Sequence, residues 1–307
     1  MTTALDQALD DYLGLHRSLG RKYVDHGIQL PQFVAYLQAA GATTVTTELA
    51  LAWATLPRGS TPVWWARRLA MVRGFARYLK ALDPDTEIPS GELLPFRASR
   101  VDPYLYSDAE IAALMSAARA LRPPLRPATY ETLIGLIAAT GMRSGEAVRL
   151  DRDDVDWQEG VITIWRSKFG RSRALPVHPT TLAALGRYAD FRDQCIPRPA
   201  SLTFFVSTAG TRLNNEDDKT FRRLVRHVGL TSPSGRAPRI HDLRHRFAVD
   251  TLVNWYRAGV DVEAHMPLLS TYMGHARPEG TFWYLSAVPE LLFLAVQRLE
   301  RQAEARS

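Results

Sequence analysis

Apolar positions in the first eighty residues recur at helical spacing and are broken at short intervals by glycine and proline. Leu5, Leu9, Tyr12 and Leu13 form a stripe of 3.6-residue period, which predicts a helix over about 4–19. A second helix is predicted over about 30–40, ending at Gly41. A third, over 47–56, follows threonines that can cap it and stops at Pro57. A fourth opens at Thr61-Pro62 and runs to about Leu82, where Asp83-Pro84 stops it. On that helix Leu69, Val72, Ala76 and Leu79 make the apolar stripe, and Arg73, Arg77 and Lys80 lie beside it as candidate phosphate contacts or a solvated face. The expectation is a compact all-α domain over residues 1–95.

Between Asp83 and Pro103 the pattern dissolves into DPDTEIPSGELLPFRASRVDP, rich in proline, acids and serine, with little to bury. The domain boundary is expected here, and a second domain over 104–307. It restarts with Ser107 and Glu110 three residues apart, a capping-box spacing ahead of an apolar helix. Tyr130 to Thr140 predicts a buried helix ending at Gly141. After Leu150 the period shortens, and Val161 to Trp165 is β-branched and aromatic, with breaks at Glu159-Gly160 and Phe169-Gly170. A small three-stranded antiparallel sheet is the natural reading. Helices resume near Thr180 and continue to a last one starting at Pro289, apolar first and charged afterwards.

Composition changes this picture little. With 307 residues, 46% apolar and 23% charged, the chain is long enough for two cores and shows no sign of disorder. A net charge of +6 favours a polyanionic partner without establishing one. Cys195 is the single cysteine, which excludes an intrachain disulfide and a cysteine-based zinc site. MTTALDQALDDYL carries acids where a secretory signal carries bases, and no run reaches the ~18 apolar residues of a membrane span. A cytoplasmic protein with no membrane partner is expected.

The chemistry lies in a scattered polar set: Arg143, Lys168, His241, Arg244, His275 and Tyr284. Arginines fork onto phosphate oxygens, lysine and histidine move protons, and a phenol attacks phosphorus. Taken singly, each has an ordinary structural explanation: a helix-start arginine, a solvated turn lysine, a core tyrosine. Glu146 can orient Arg143 or cap its own helix. Arg166, Arg171 and Arg173 surround Lys168, which makes that turn a candidate DNA contact. His245 stands four residues after His241, but Asp242 occupies the place of the glutamate a zinc-protease motif needs, so His245 reads as a packed or hydrogen-bonded support. GxGxxG, GxxxxGK[ST] and GxSxG are all absent, so neither a dinucleotide site, a Walker-type ATP site nor a nucleophile elbow is expected.

Taken in order, TGMRSGE, SKFGRSR, HDLRH, MGH and TFWY resemble the tyrosine recombinase (phage integrase) family over about residues 104–290. The resemblance implies a mainly α fold, with a SAM-like core-binding domain and an α+β catalytic domain that clamp DNA from opposite sides. It implies Arg143 and Arg244 on the scissile phosphate, Lys168 as general acid and His241 assisting proton transfer. His275 would hydrogen-bond a phosphate oxygen and Tyr284 would form a 3′-phosphotyrosyl bond, with Glu146 and His245 in support. No cofactor or metal is implied. The partners implied are double-stranded DNA and a homo-tetramer on paired sites, with other recombinases of the same element as further candidates. The helix after Pro289 resembles a segment that packs on a neighbouring subunit. A two-domain, mobile-element recombinase is favoured over one with an additional arm-binding domain. Arg246 departs from the small hydroxyl residue frequent at its position, and Met273 from the commoner leucine. Type IB topoisomerase-like relaxation and non-cleaving DNA binding are the competing readings.

Overall fold

The structure is a computed structural model that describes residues 3–94, 103–122, 124–165, 172–213, 216–232, 235–275, 279–287 and 289–304. It divides into two compact units, Met1–Val101 and Asp102–Ser307.

The first unit is helical: α1 (Ala4–Ser18), α2 (Val24–Ala39), α3 (Thr47–Thr55) and α4 (Pro62–Leu79). Threonine hydroxyls start three of these helices. Thr3, Thr46 and Thr61 accept hydrogen bonds from the backbone N–H groups of Asp6, Leu49 and Trp64, satisfying donors that a helix start leaves unpaired. The second helix opens at Val24 rather than near Leu30. Its entry residue, Tyr23, has a left-handed φ of 44° and no side-chain cap, and Pro31 lies inside the helix. Neither feature leaves a start signal in the sequence. Leu30, Phe33, Leu37, Trp53, Val72 and Phe75 lie at the centre of the core. Arg68 is buried with them; its guanidinium covers the Trp53 ring at 3.7 Å and donates to the Trp53 carbonyl at 3.0 Å.

The second unit opens with α5 (Asp108–Arg119), capped reciprocally by Ser107 and Glu110 as the spacing predicts. Next comes α6 (Leu125–Thr140), which starts before the predicted Tyr130 because Pro127 falls in the first turn, where no amide donor is needed. Leu133, Ile134, Leu136 and Ile137 are all buried, so α6 runs through the core. One turn, α7 (Ser144–Ala147), leads to strands β1 (Val155–Asp156), β2 (Val161–Ile164) and β3 (Arg173–Pro176). They form an antiparallel sheet in the order β1-β2-β3, with Ile162 opposite Leu175. Helices α8 (Pro179–Cys195), α9 (Glu216–Val228), α10 (Ile240–Arg257), α11 (Val262–Met273), α12 (Glu279–Ala287) and α13 (Pro289–Glu304) complete the unit. The fold is mainly helical with one small antiparallel sheet.

In the single chain α13 lies on α10, with Leu291 fully buried and Arg257 paired to Glu290 at 2.9 Å. An amphipathic helix gains by burying its apolar face on whatever surface is adjacent. Leu292, Phe293 and Val296 remain exposed on it. Among the described residues, no helix is long and apolar enough to cross a membrane.

Gly141 joins α6 to the short turn at φ 61°, and a Cβ there would lie 2.4 Å from Phe247 Cδ1. Gly141→Ala combines a left-handed backbone with overpacking and is expected to cost about 2–4 kcal/mol. Urea unfolding of the full chain measures it, and an unchanged midpoint contradicts this account of the junction.

Candidate active site

Three arginines from three separate elements meet at the C-terminal end of α11. Arg173, at the start of β3, donates Nε to the Tyr272 carbonyl at 2.8 Å. Arg244, from α10, donates Nη2 to the Met273 carbonyl at 2.6 Å, and Nη1 to the Gly141 carbonyl at 2.7 Å. Arg143, at the start of α7, donates Nη2 to the Gly274 carbonyl at 2.7 Å. The last carbonyls of a helix lack partners and carry the negative end of its dipole, which suits guanidinium donors. Gly274 closes α11 at φ 65°, and His275 follows directly.

Glu146 holds two of these arginines from the other side. It accepts Arg143 Nη1 at 2.7 Å and the Arg143 backbone N–H at 3.0 Å, thereby orienting the guanidinium and capping α7 at once. Arg173 reaches it through both Nη1 and Nη2, at 3.1 and 2.8 Å. Burial pushes the Glu146 carboxyl up, but the bonds from Arg173 and Arg143 outweigh it and hold the group down to about 2. Arg244 is almost fully buried; burial, followed by the charge of Arg143, lowers it to about 9, so it stays cationic at neutral pH.

Tyr284, on α12, is buried with its Oη 2.9 Å from His245 Nδ1. Burial pushes the phenol up, and the charges of Arg244 and Arg143 pull it back. His245 also meets His241 edge to face, with ring centroids 4.8 Å apart. The His275 ring stacks near Tyr284 at 6.5 Å and shares a 2.6 Å hydrogen bond with Thr281. Burial lowers all of these imidazoles, His241 and His245 to about 4 and His275 to about 3, with neighbouring cations adding to the effect. They are therefore neutral at pH 7.

Arg143, Glu146, His241, Arg244, His245, His275 and Tyr284 are thus gathered in the second unit. Lys168, Arg166 and Arg171 lie outside the described residues. Arg173, expected as a DNA contact, has a side chain only 8% exposed and committed to Glu146 and Tyr272. In the first unit Arg73 donates to the Ser90 carbonyl and Lys80 to that of Pro84, while Arg77 is exposed. Arg246, which departs from the small hydroxyl residue expected there, pairs with Asp250 and bonds the Tyr106 carbonyl. Thr281 and the carbonyls of 272–274 carry no sequence signal, since backbone acceptors and a lone threonine have none.

The lowered histidines make stability depend on pH. The unfolded chain binds protons below about 6.5, whereas the folded site resists them until about 4 for His241 and His245. Protons therefore favour unfolding across that window, and stability falls as pH drops through it. Urea unfolding near pH 7 and near pH 5 is expected to show the loss, and His245→Phe to reduce it by removing one titrating group. Equal stability at both pH values contradicts the burial of these rings.

The profile of the phage integrase family matches residues 105–290. A protein of Sinorhizobium fredii (strain NBRC 101917 / NGR234), y4rB, which carries an integrase/recombinase name, is 46% identical over 309 residues, with 98% of each chain covered. The Tn1549 transposon integrase in complex with transposon right end DNA has the same fold at 17% identity and a TM-score of 0.65, covering 96% of this chain and 99% of that one. A lambda integrase tetramer bound to a Holliday junction gives a TM-score of 0.60 at 19% identity, covering 89% and 78%. The profile match over most of the second unit and the full-length relative establish what the site's geometry had suggested: this chain belongs to the phage integrase family of tyrosine recombinases, site-specific enzymes that cleave and rejoin DNA.

Proposed function

We propose that Tyr284 is the nucleophile of strand cleavage, attacking a phosphodiester held by Arg143 and Arg244. The observation that carries this reading is the phenol itself: it is buried, within the fields of both arginines, and in contact with a neutral imidazole. A guanidinium has five N–H donors, and Arg143 and Arg244 each spend two on the hydrogen bonds given above. Donors remain for non-bridging phosphate oxygens, and the cations offset the charge that develops at phosphorus.

The phenol must lose its proton as the bond to phosphorus forms, because it is mostly protonated at neutral pH. His245 Nδ1 is the group in contact with Oη and receives it. His241, edge to face with that ring, supports the transfer. His275, fixed by Thr281, donates to a phosphate oxygen. Lys168 supplies a proton to the departing 5′-oxygen, and the 3′-phosphotyrosyl bond conserves the energy for rejoining. Exposed Arg77 contributes to DNA binding from the first unit. The assembly is a homo-tetramer on paired sites, and the element served is a mobile one. The tetramer of lambda integrase on a junction and the complex of the Tn1549 integrase with transposon DNA support these last two statements.

Nicked, labelled duplexes carrying the chain's own recombination site test the proposal. In EDTA, wild type is expected to give protein-linked DNA after denaturation, and Tyr284→Phe none. His245→Gln, which retains a hydrogen-bonding group but accepts no proton, is expected to slow adduct formation by about 10²–10⁴-fold. An adduct that survives Tyr284→Phe means a different nucleophile; tight DNA binding without any adduct overturns the cleavage reading.

A further inference from the structure

Beyond the phosphate-binding pair, we infer that Arg173 is a positioning residue of strand cleavage: it neutralises Glu146 and locks the end of α11, leaving Arg143 free to act on phosphate. The inference rests on the reading of Tyr284 and the arginine pair given above.

Three contacts carry it. The guanidinium forks onto Glu146 through both Nη atoms, and its Nε holds the Tyr272 carbonyl. The Arg173 side chain is 8% exposed and that of Glu146 only 2%, so this ion pair is shielded from water. On its far edge Arg173 lies against Gly274, where a Cβ would come within 2.7 Å of Nη1. The glycine before His275 is thus needed for this packing as well as for its left-handed turn.

The charge balance explains why a third arginine is present. Glu146 alone would face Arg143, and a buried carboxylate with a single cationic partner would hold that partner closely. Arg173 shares the carboxylate, taking Oε2 at 2.8 Å while Arg143 takes Oε1 at 2.7 Å. With Glu146 balanced by Arg173, the charges of Arg143 and Arg244 both remain for the phosphate. Arg173 also begins β3, the strand that follows Lys168 in the sequence, and so ties that strand to the arginine pair.

Salt dependence separates positioning from DNA contact. Loss of one phosphate contact lowers the slope of log affinity against log salt by about 0.9. Arg173→Gln is expected to slow single-turnover adduct formation by about 10²-fold, and any fall in that slope is expected to be recovered when Glu146→Gln is added. The defect is expected to ease as pH falls, because Glu146, without the partner that contributes most to holding it down, is then protonated and loses its uncompensated charge. Adding Glu146→Gln to Arg173→Gln removes the uncompensated carboxylate and is expected to restore part of the rate. Arg173→Lys, which keeps charge but not the fork, should fall between wild type and Arg173→Gln, and serves in its place if the glutamine variant does not fold. A salt slope that stays low in the double variant, an unchanged cleavage rate, or no rescue by Glu146→Gln overturns the inference. Wild type run alongside keeps the two readings apart: absence of a Tyr284-dependent adduct there is a failure of the proposed function instead.

Discussion

The site depends on one helix end. The carbonyls of Tyr272, Met273 and Gly274 each accept a guanidinium, and the three arginines come from β3, α10 and the start of α7. Arginines placed side by side repel one another, and nothing in β3, α10 or α7 alone would bring them together. The negative end of the α11 dipole and its unpaired acceptors supply the compensation. Gly274 then turns the chain so that His275 emerges from the same point. The guanidinium groups proposed to bind phosphate are thereby held before any phosphate arrives, and little reorganisation is left to the proposed reaction.

Burial has the opposite effects on the two kinds of group gathered there. It leaves the arginines charged, because even Arg244 is lowered only to about 9. It strips charge from the histidines, which are held at about 4 or below. The result is a fixed positive field beside neutral imidazoles. That separation suits the role proposed for Tyr284, whose phenol would give up a proton and then carry negative charge toward phosphorus. Among the described residues Glu146 is the buried carboxylate that the arginines share, and its two guanidinium partners keep it ionised without removing the positive balance.

Much of this was legible in the sequence, and the remainder was hidden for identifiable reasons. Short-range chemistry was readable: the Ser107–Glu110 cap, the three-residue step from His241 to Arg244, and the β-branched run at 161–165 all took their expected forms. Glu146 takes both of the roles its position offers as alternatives, orienting Arg143 and capping its helix. The start of α2 was not readable, because Tyr23 enters in a conformation unusual for a side chain and no capping residue marks it. The basic neighbours of Arg173 in sequence suggest only DNA, while its partners, Glu146 and Tyr272, lie 27 and 99 residues away. The contact between His245 and Tyr284 spans 39 residues and involves no spacing rule. Side-chain roles set by distant elements are what a linear pattern conceals.

The central claim is that the arginines are locked by α11 without DNA. Nitrogen NMR of the guanidinium groups in the DNA-free protein addresses it directly, since a held guanidinium rotates slowly about its Cζ–Nη bonds and shows separate Nη signals. Arg143, Arg173 and Arg244 are predicted to show such resolved signals, and exposed Arg77 to show averaged ones. Averaged signals from Arg173 and Arg244, sharpening into separate lines only on addition of DNA, would mean that the phosphate gathers the arginines and the helix end does not.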